Sequence, residues 1–543
     1  MNTLHGLLLP SDQAKHAGLR DRLPTPPTDK EKYAYFGPQR RWIVFVQFAG
    51  FSSIAASVTM FMVRTGWTWF VLGPPLALTI LASICSLLTS SRGRRFDIAY
   101  YESVVANWSA SANYSVDVFL PSAGESLNLL RNTYRYVSQL HWLGPLTIYV
   151  LDDSGRPDVE TLAREFGFTY LSRPDRGRMK KAGNLAFGYE HSSGDLIVVF
   201  DADFCPRSDF LDSTVPFMRD SVIGIVQTPQ YFDVDPSQNW LQRGAGATQE
   251  FFYRWVQPAR DRSDGAICVG TNAVYRRKAL AKAGGFAQIG HSEDVHTGVN
   301  LLRVGYLTRY VPVVVAKGAC PDAINAFVVQ QYRWCTGSMS LLFSRTFHHT
   351  PLTTRQRLCF WTGFLYYITT AINVFAMWLP PLIVGFIYPH KMHPSNYVLV
   401  IVAVLVRMSL IPVLTSERGT WAGLARIQML YSFAHATALI HSVRGRSVSW
   451  VATGAARGTG LSRQIRMLTV GWLVSCQALL WLAILRDVPR YGISNYWPMV
   501  VFASINLYLV APIVGGLTPR TLAARRAVRR SVMLRATAPD GGQ

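Results

Sequence analysis

Three acidic groups in this chain stand where its character changes. Asp152-Asp153 follows the apolar run 146–151, and Asp201-Ala202-Asp203 follows the run 196–200. If both runs are strands, each delivers carboxylates at its carboxyl end, and strand alternation puts Asp201 and Asp203 on one side. Two hard oxygen donors placed so suit a divalent cation, Mg²⁺ or Mn²⁺, bridging to a diphosphate. Ser292-Glu293-Asp294 falls in a polar turn after Gly284-Gly285-Phe286. A partly enclosed carboxylate there suits the general base for a sugar hydroxyl. Lys180-Lys181-Ala182-Gly183-Asn184 brings cationic and small residues to a helix start, which favours a phosphate-bearing donor. In Gln330-Gln331-Tyr332-Arg333-Trp334, positions three and four apart share a helix face. Arg333 there suits a leaving diphosphate, and the Trp334 ring suits stacking on a sugar. Taken singly, each group has an ordinary reading: a solvated turn, a helix-capping acid, a basic turn, a surface arginine beside a buried tryptophan. His291 and His296 flank Glu293-Asp294, but their spacing does not match a zinc-binding His-Glu-x-x-His helix.

The elements that must position these groups form an alternating pattern between about 97 and 325. Runs 116–120, 146–151, 196–200 and 223–227 read as buried parallel strands, with helices near 126–140, 159–166 and 180–190 between them. Such an α/β sheet places its chemistry at the carboxyl ends of the strands.

On either side of this core lie long uncharged stretches. Segments 42–63, 67–91, 359–389, 396–416, 467–485 and 496–517 are each long enough to cross hydrocarbon about 30 Å thick. That makes six spans, two before the core and four after it. Pro380-Pro381 predicts a break in the third. Segment 421–443 carries Arg426, His435 and His441 and reads as an interfacial helix. Arg407 sits mid-span in 396–416, either lining a channel or pairing within the bundle. Arg40-Arg41, Arg92, Arg94, Arg95 and the tail cluster Arg525, Arg526, Arg529 and Arg530 outweigh the sparse Arg64, Lys391, Arg486 and Arg490 of the opposite loops. The positive-inside rule then predicts an integral plasma-membrane protein with the core and both termini cytosolic. The net charge of +22 is placed for topology and anionic lipid, so no nucleic-acid partner is expected. The seven cysteines form no C-x-x-C pair, which argues against zinc, and several fall in the cytosolic core, which argues against disulfides.

Taken in order, these motifs resemble the processive family 2 glycosyltransferases, which include cellulose, chitin, curdlan and hyaluronan synthases. The resemblance covers about 95–460 and also includes Pro121-Ser122-Ala123-Gly124-Glu125, Gln227-Thr228-Pro229-Gln230 and Cys268-Val269-Gly270-Thr271. It implies a glycosyltransferase A-type cytosolic domain inserted between membrane spans, and inverting transfer from a UDP-α-sugar. By matching position, Asp152, Asp153, Lys181, Asp201, Gln330 and Arg333 would hold the UDP-sugar. Asp203, with Asp201, would bind the Mg²⁺ or Mn²⁺, and Asp294 would be the base. Trp334, Glu293, Gly270 and Thr271 would meet the acceptor, a growing polysaccharide that leaves between the spans. The expected product is a β-linked glucan made from UDP-glucose; the alternatives are an aminosugar polymer of chitin or hyaluronan type, or a single-sugar lipid product.

The implied organisation is an N-terminal arm (1–41), two spans (42–91), the catalytic domain (92–350), a channel region (351–517) with a gating-type loop near 446–460, and a basic tail (518–543). Some motif positions depart from the cellulose synthase pattern. Ala123-Gly124 stands where an aromatic is usual, Phe204 replaces a histidine, and Ser449-Trp450-Val451-Ala452-Thr453-Gly454 looks closer to curdlan-type loops. The tail is too short for a cyclic-di-GMP-binding module, so accessory export or regulatory proteins are the expected partners.

Overall fold

The computed structural model describes residues 23–37, 42–91, 93, 95–108, 114–235, 237–397, 399–400, 403, 420–445 and 460–517. Seven strands form the main sheet, in the order β3-β2-β1-β4-β8-β6-β9. These are β1 (Val116–Ser122), β2 (Leu146–Asp152), β3 (Thr169–Leu171), β4 (Leu196–Val199), β6 (Ile223–Gln227), β8 (Ala273–Arg276) and β9 (Leu307–Tyr310). A smaller sheet, β5-β10-β7, is made of β5 (Phe204–Pro206), β7 (Tyr231–Asp233) and β10 (Ala316–Ala319). All seven residues of β1 and all of β4 and β6 are buried, which accounts for their continuous apolar character.

Helices Leu127–Val137, Pro157–Glu165 and Lys180–Glu190 carry the chain across between the parallel strands β1 to β4. The sheet is not wholly parallel, however: β8 runs antiparallel between β4 and β6. Strand β1 pairs with both β2 and β4, so the strand order reverses there and opens a crevice at the carboxyl ends. Asp152 ends β2, and Asp201 lies just beyond β4.

Five helical stretches among the described residues are long and apolar enough to cross a membrane: Trp42–Thr65, Trp69–Ser90, Thr354–Ile387, Gly460–Tyr491 and Ile493–Leu517. Large apolar side chains such as Phe70 (87 % exposed) and Leu485 (70 %) point outward from them. The third divides into Thr354–Ala376 and Leu379–Ile387. Pro380 falls in the first turn of the second piece, where its missing N–H costs no helical hydrogen bond. Most of the expected span 396–416, with Arg407, lies outside the described residues. So do the tail 518–543 and all but the last residue of the loop 446–460.

Helix Trp421–Val443 differs from the expected interfacial helix. It is buried inside the bundle, packed against Ile324–Leu342, Thr354–Ala376 and Trp240–Phe251. Several of its polar groups have partners there. His435 Nδ1 meets Thr370 Oγ1 at 2.8 Å, and His441 Nδ1 meets the Tyr332 hydroxyl at 2.8 Å. Arg426 donates to the Tyr508 carbonyl at 3.0 Å. Pro512, four residues on, has no N–H for that carbonyl, so the arginine fills a gap that the proline opens.

The arm is not featureless either. Residues 23–37 lie as a strap across the small sheet, with Tyr35 and Phe36 buried. Lys32 pairs with Asp209 at 2.7 Å, Asp29 with Arg207 at 2.7 Å and Glu31 with Lys317 at 3.4 Å. The Pro24 carbonyl accepts from Asn132 at 2.8 Å and from the Cys205 thiol at 3.3 Å. That thiol lies two residues beyond Asp203.

Candidate active site

The carboxylates at the end of β2 have different surroundings. Asp152 is fully buried, and both its oxygens are occupied. They accept from the backbone and hydroxyl of Ser154, from Arg156 N at 2.8 Å and from the Tyr170 hydroxyl at 3.0 Å. Asp152 therefore shapes the turn. In Asp153, Oδ1 accepts from Arg173 Nε at 2.7 Å and Gly177 N at 3.0 Å, while Oδ2 accepts from no described residue. Asp153 is thus the member of the pair with an oxygen to offer.

Asp201-Ala202-Asp203 forms a turn between β4 and β5, closed by Phe204 N on the Asp201 carbonyl at 3.0 Å. The turn, not strand alternation, sets the two side chains. Lys181, in the first turn of helix Lys180–Glu190, donates to Asp201 and, at 2.8 Å, to the Gly270 carbonyl. Asn184 on the same helix donates to the Leu151 carbonyl at 2.7 Å, fixing the helix to the end of β2. Burial opposes the charge on Lys181, but Asp201 and Glu293 outweigh it and the ammonium is held firmly protonated. Burial, and then the nearby Asp201, push the Asp203 carboxyl up to about 7.

Ser292 adopts a left-handed backbone conformation, and helix Glu293–Arg303 starts immediately after it. Glu293 and Asp294 therefore lie in a first helical turn rather than in a free loop. Burial, and then Glu293, push the Asp294 carboxyl up to about 7, and burial also raises Glu293. Glu293 lies within electrostatic reach of Lys181, Asp201 and Arg333. Gly270 closes the other side with φ +78°; a Cβ there would come within 3.0 Å of Asp294 Oδ2.

Helix Ile324–Leu342 forms the remaining wall, with Gln330, Arg333 and Trp334 all half-buried. Burial weakens the Arg333 guanidinium's hold on its proton, against the pull of Asp201, Glu293 and Asp203. The helix is locked to the Asp294 helix by His296 Nε2 on Ser340 Oγ at 2.9 Å. At Gly337 the two approach so closely that a Cβ would overlap both Oγ and Cβ of Ser292. Gly337→Ala should displace Glu293-Asp294 and lower kcat/KM about a hundredfold. Measuring nucleotide release by the purified variant checks this; activity within twofold of wild type would exclude the contact as a determinant.

A model of the family described as Glycosyl transferase family group 2 matches residues 196–511, more than half of the chain. The chain belongs to that family. Its mixed sheet, with carboxylates at the switch point, is the glycosyltransferase A-type fold expected from the sequence. Cellulose synthase 1 of Komagataeibacter xylinus is 33% identical over 272 residues, 48% of this chain and 17% of that protein. A cellulose synthase catalytic subunit (UDP-forming) of Xanthomonas axonopodis pv. citri is 32% identical over 259 residues, 47% of this chain and 35% of that protein. The matches thus span well under half the length of these curated relatives. Among solved structures, a mannosyltransferase of Pyrobaculum calidifontis in complex with GDP-Man and Mn²⁺ aligns with 69% of this chain and 99% of its own, at 16% identity and a TM-score of 0.49.

Within this glycosyltransferase Thr271 supports the Asp-x-Asp turn from behind. It is fully buried, and its hydroxyl accepts from Asp201 N at 2.9 Å. Sequence reasoning did not find the clamp behind it. Gln227 Oε1 accepts from Val269 N at 2.9 Å, and its Nε2 donates to the Thr271 carbonyl at 2.8 Å. Gln230 donates to the Val269 carbonyl at 3.0 Å. The motif Gln227-Thr228-Pro229-Gln230 thereby shapes the loop that carries Gly270. The signals available were its place at the end of an apolar strand run and its place among the motifs of the resemblance.

Proposed function

We propose that this glycosyltransferase is a multi-pass, processive, inverting β-glucan synthase that uses UDP-glucose and passes its product into the bilayer from a cytosolic active site. One observation carries the reading. The helix that carries Arg333 within electrostatic reach of Asp201, Glu293 and Asp203, and carries Gln330 and Trp334 beside it, also packs directly on Thr354–Ala376 and Trp421–Val443. Similarity to UDP-forming cellulose synthases supports the donor and the polymer.

In this mechanism Asp153 and Lys181 hold the nucleotide end of the donor. Asp201 and Asp203 fit a divalent cation, because two carboxylates confined together, one pushed up to about 7, gain from a shared positive charge. When bound, Mg²⁺ or Mn²⁺ supplies charge neutralisation to the diphosphate. Among the described residues no third carboxylate, histidine or cysteine joins this pair as a ligand, so the donor's phosphate oxygens would complete the shell. Trp334 stacks on the terminal acceptor sugar, and Asp294 takes the proton from its attacking hydroxyl. The hydroxyl oxygen bonds to the anomeric carbon from the face opposite the leaving group, inverting it. As the bond to UDP breaks, Arg333 and Gln330 stabilise the charge on the departing diphosphate.

The test uses the purified full-length protein in lipid vesicles with Mg²⁺ or Mn²⁺ and either UDP-glucose or UDP-N-acetylglucosamine. UDP release with a polymer cut by a β-1,3- or β-1,4-glucanase is the expected result. Polymer from the aminosugar alone would replace the glucan reading, and a single-sugar lipid product would end the processive one.

A further inference from the structure

Arg260 is a buried cation that the proposed chemistry does not use. It lies in the short helix Gln257–Asp261 and is 6 % exposed. Its guanidinium makes no hydrogen bond or ion pair with any described residue, and its Nε is sealed from solvent without a partner. The two nearest acids in sequence are committed elsewhere. Asp261 accepts from Arg95, Arg309 and Tyr310 N, and Asp264 pairs with Arg95 and Arg309. Arg260 lies among Phe252, Cys359, Gly363 and Tyr367. Its Cζ lies 5.9 Å from the Phe252 ring, in a π-helical turn of a kind found often at functional sites. Its Nη2 lies 2.9 Å from where a Cβ on Gly363 would sit, so a side chain there would push the guanidinium aside.

The location gives this cation its meaning. Gly363 and Tyr367 are one turn apart on the span helix Thr354–Ala376. Tyr367 lies near Ser338, which is one turn beyond Trp334 on its helix, and within electrostatic reach of both Asp294 and Arg260. The guanidinium therefore lies against the spanning helix Thr354–Ala376, which also packs on the helix that carries Trp334. A buried, uncompensated charge is costly, and the cost is offset when a ligand brings acceptor oxygens.

We propose that Arg260, with Tyr367, forms a second acceptor subsite that grips hydroxyl or ring oxygens of the sugar unit behind the terminal one. The proposal rests on the polymerase reading above. It makes Arg260 a determinant of chain retention, with no part in donor binding.

The test compares wild type, Arg260→Met, and Gly363→Ala, which presses on the guanidinium from the opposite side. All are full-length and reconstituted in neutral and in anionic vesicles with UDP-glucose. Both variants should give product about tenfold shorter, with KM for UDP-glucose within twofold of wild type. Arg260→Met should melt no lower than wild type, because it removes an unpaired buried charge; a purely structural arginine would lower the melting temperature. Unchanged product length in either folded variant would overturn the proposal. So would a wild-type requirement for anionic lipid that Arg260→Met abolishes, which would identify a lipid phosphate as the ligand. Failure of the wild type to release UDP would count against the polymerase reading itself and is visible before any variant is compared.

Discussion

Asp294→Asn protein should bind its donor normally and turn it over about a thousandfold more slowly than wild type, within the range a positioned general base contributes. The substitution keeps the shape of the side chain, its contact with the Gly270 loop and its hydrogen bond to Val295 N at 2.8 Å. Only the proton acceptor is lost. Because burial and Glu293 push this carboxyl up to about 7, wild-type kcat/KM should rise with pH through that region and level off above it. The asparagine variant should lack that rise.

Stability moves the opposite way. The folded-state pKa lies above the ordinary value of 3.8, so between about 4 and 7 the folded protein holds a proton that the unfolded chain has lost. Stability from this group is complete below that window and falls as pH rises through it. Asp294→Asn should therefore melt higher than wild type at pH 8, and the gap should close toward pH 4. Full activity in the variant, or a lower melting temperature at pH 8, would remove Asp294 from the role of buried base.

Arg333→Met is the second large effect, with kcat reduced by two to three orders of magnitude, about what one lost donor to a developing negative charge costs. The guanidinium lies in a field set by Asp201, Glu293 and Asp203, so an incoming diphosphate must share it with three carboxylates. Product UDP should inhibit the variant about tenfold more weakly. Lysine should recover only part of the loss, because an ammonium lacks the planar fork that spans two phosphate oxygens. Equal rates for Arg333→Lys and wild type would show that point charge alone suffices.

Much of the site was legible because parallel strands and their ends leave clear marks. Runs 146–151 and 196–200 are continuous apolar stretches closed by aspartate, and the structure puts both at the switch point. The break at Pro380 was legible for a similarly local reason. Strand β8 was not, since four residues of mixed character surrounded by polar loops carry no period. The difference between Asp152 and Asp153 was also hidden: neighbouring aspartates look alike until the bonds from Ser154, Arg156 and Tyr170 fill one of them. Arg426 misled because its partner is a carbonyl freed by Pro512, and the sequence does not show that the two meet. The strap was unreadable because its polar, proline-rich residues gain their order from a surface far along the chain.

That distance bears on how the protein is made. Glu31 meets Lys317 across a separation of 286 residues, and the Val314 amide bonds the Lys32 carbonyl at 2.9 Å. At about 5–20 residues per second, the strap waits roughly a quarter of a minute to a minute for its binding surface to emerge from the ribosome. Phe36 meets its first partner, Tyr101, early in that interval, whereas Tyr35 waits for Tyr231. The small sheet beside Asp203 can reach its final form only after β10 has been synthesised. Donor-site assembly is thus a late event, set by the order of translation, and it falls just before the third membrane helix is made.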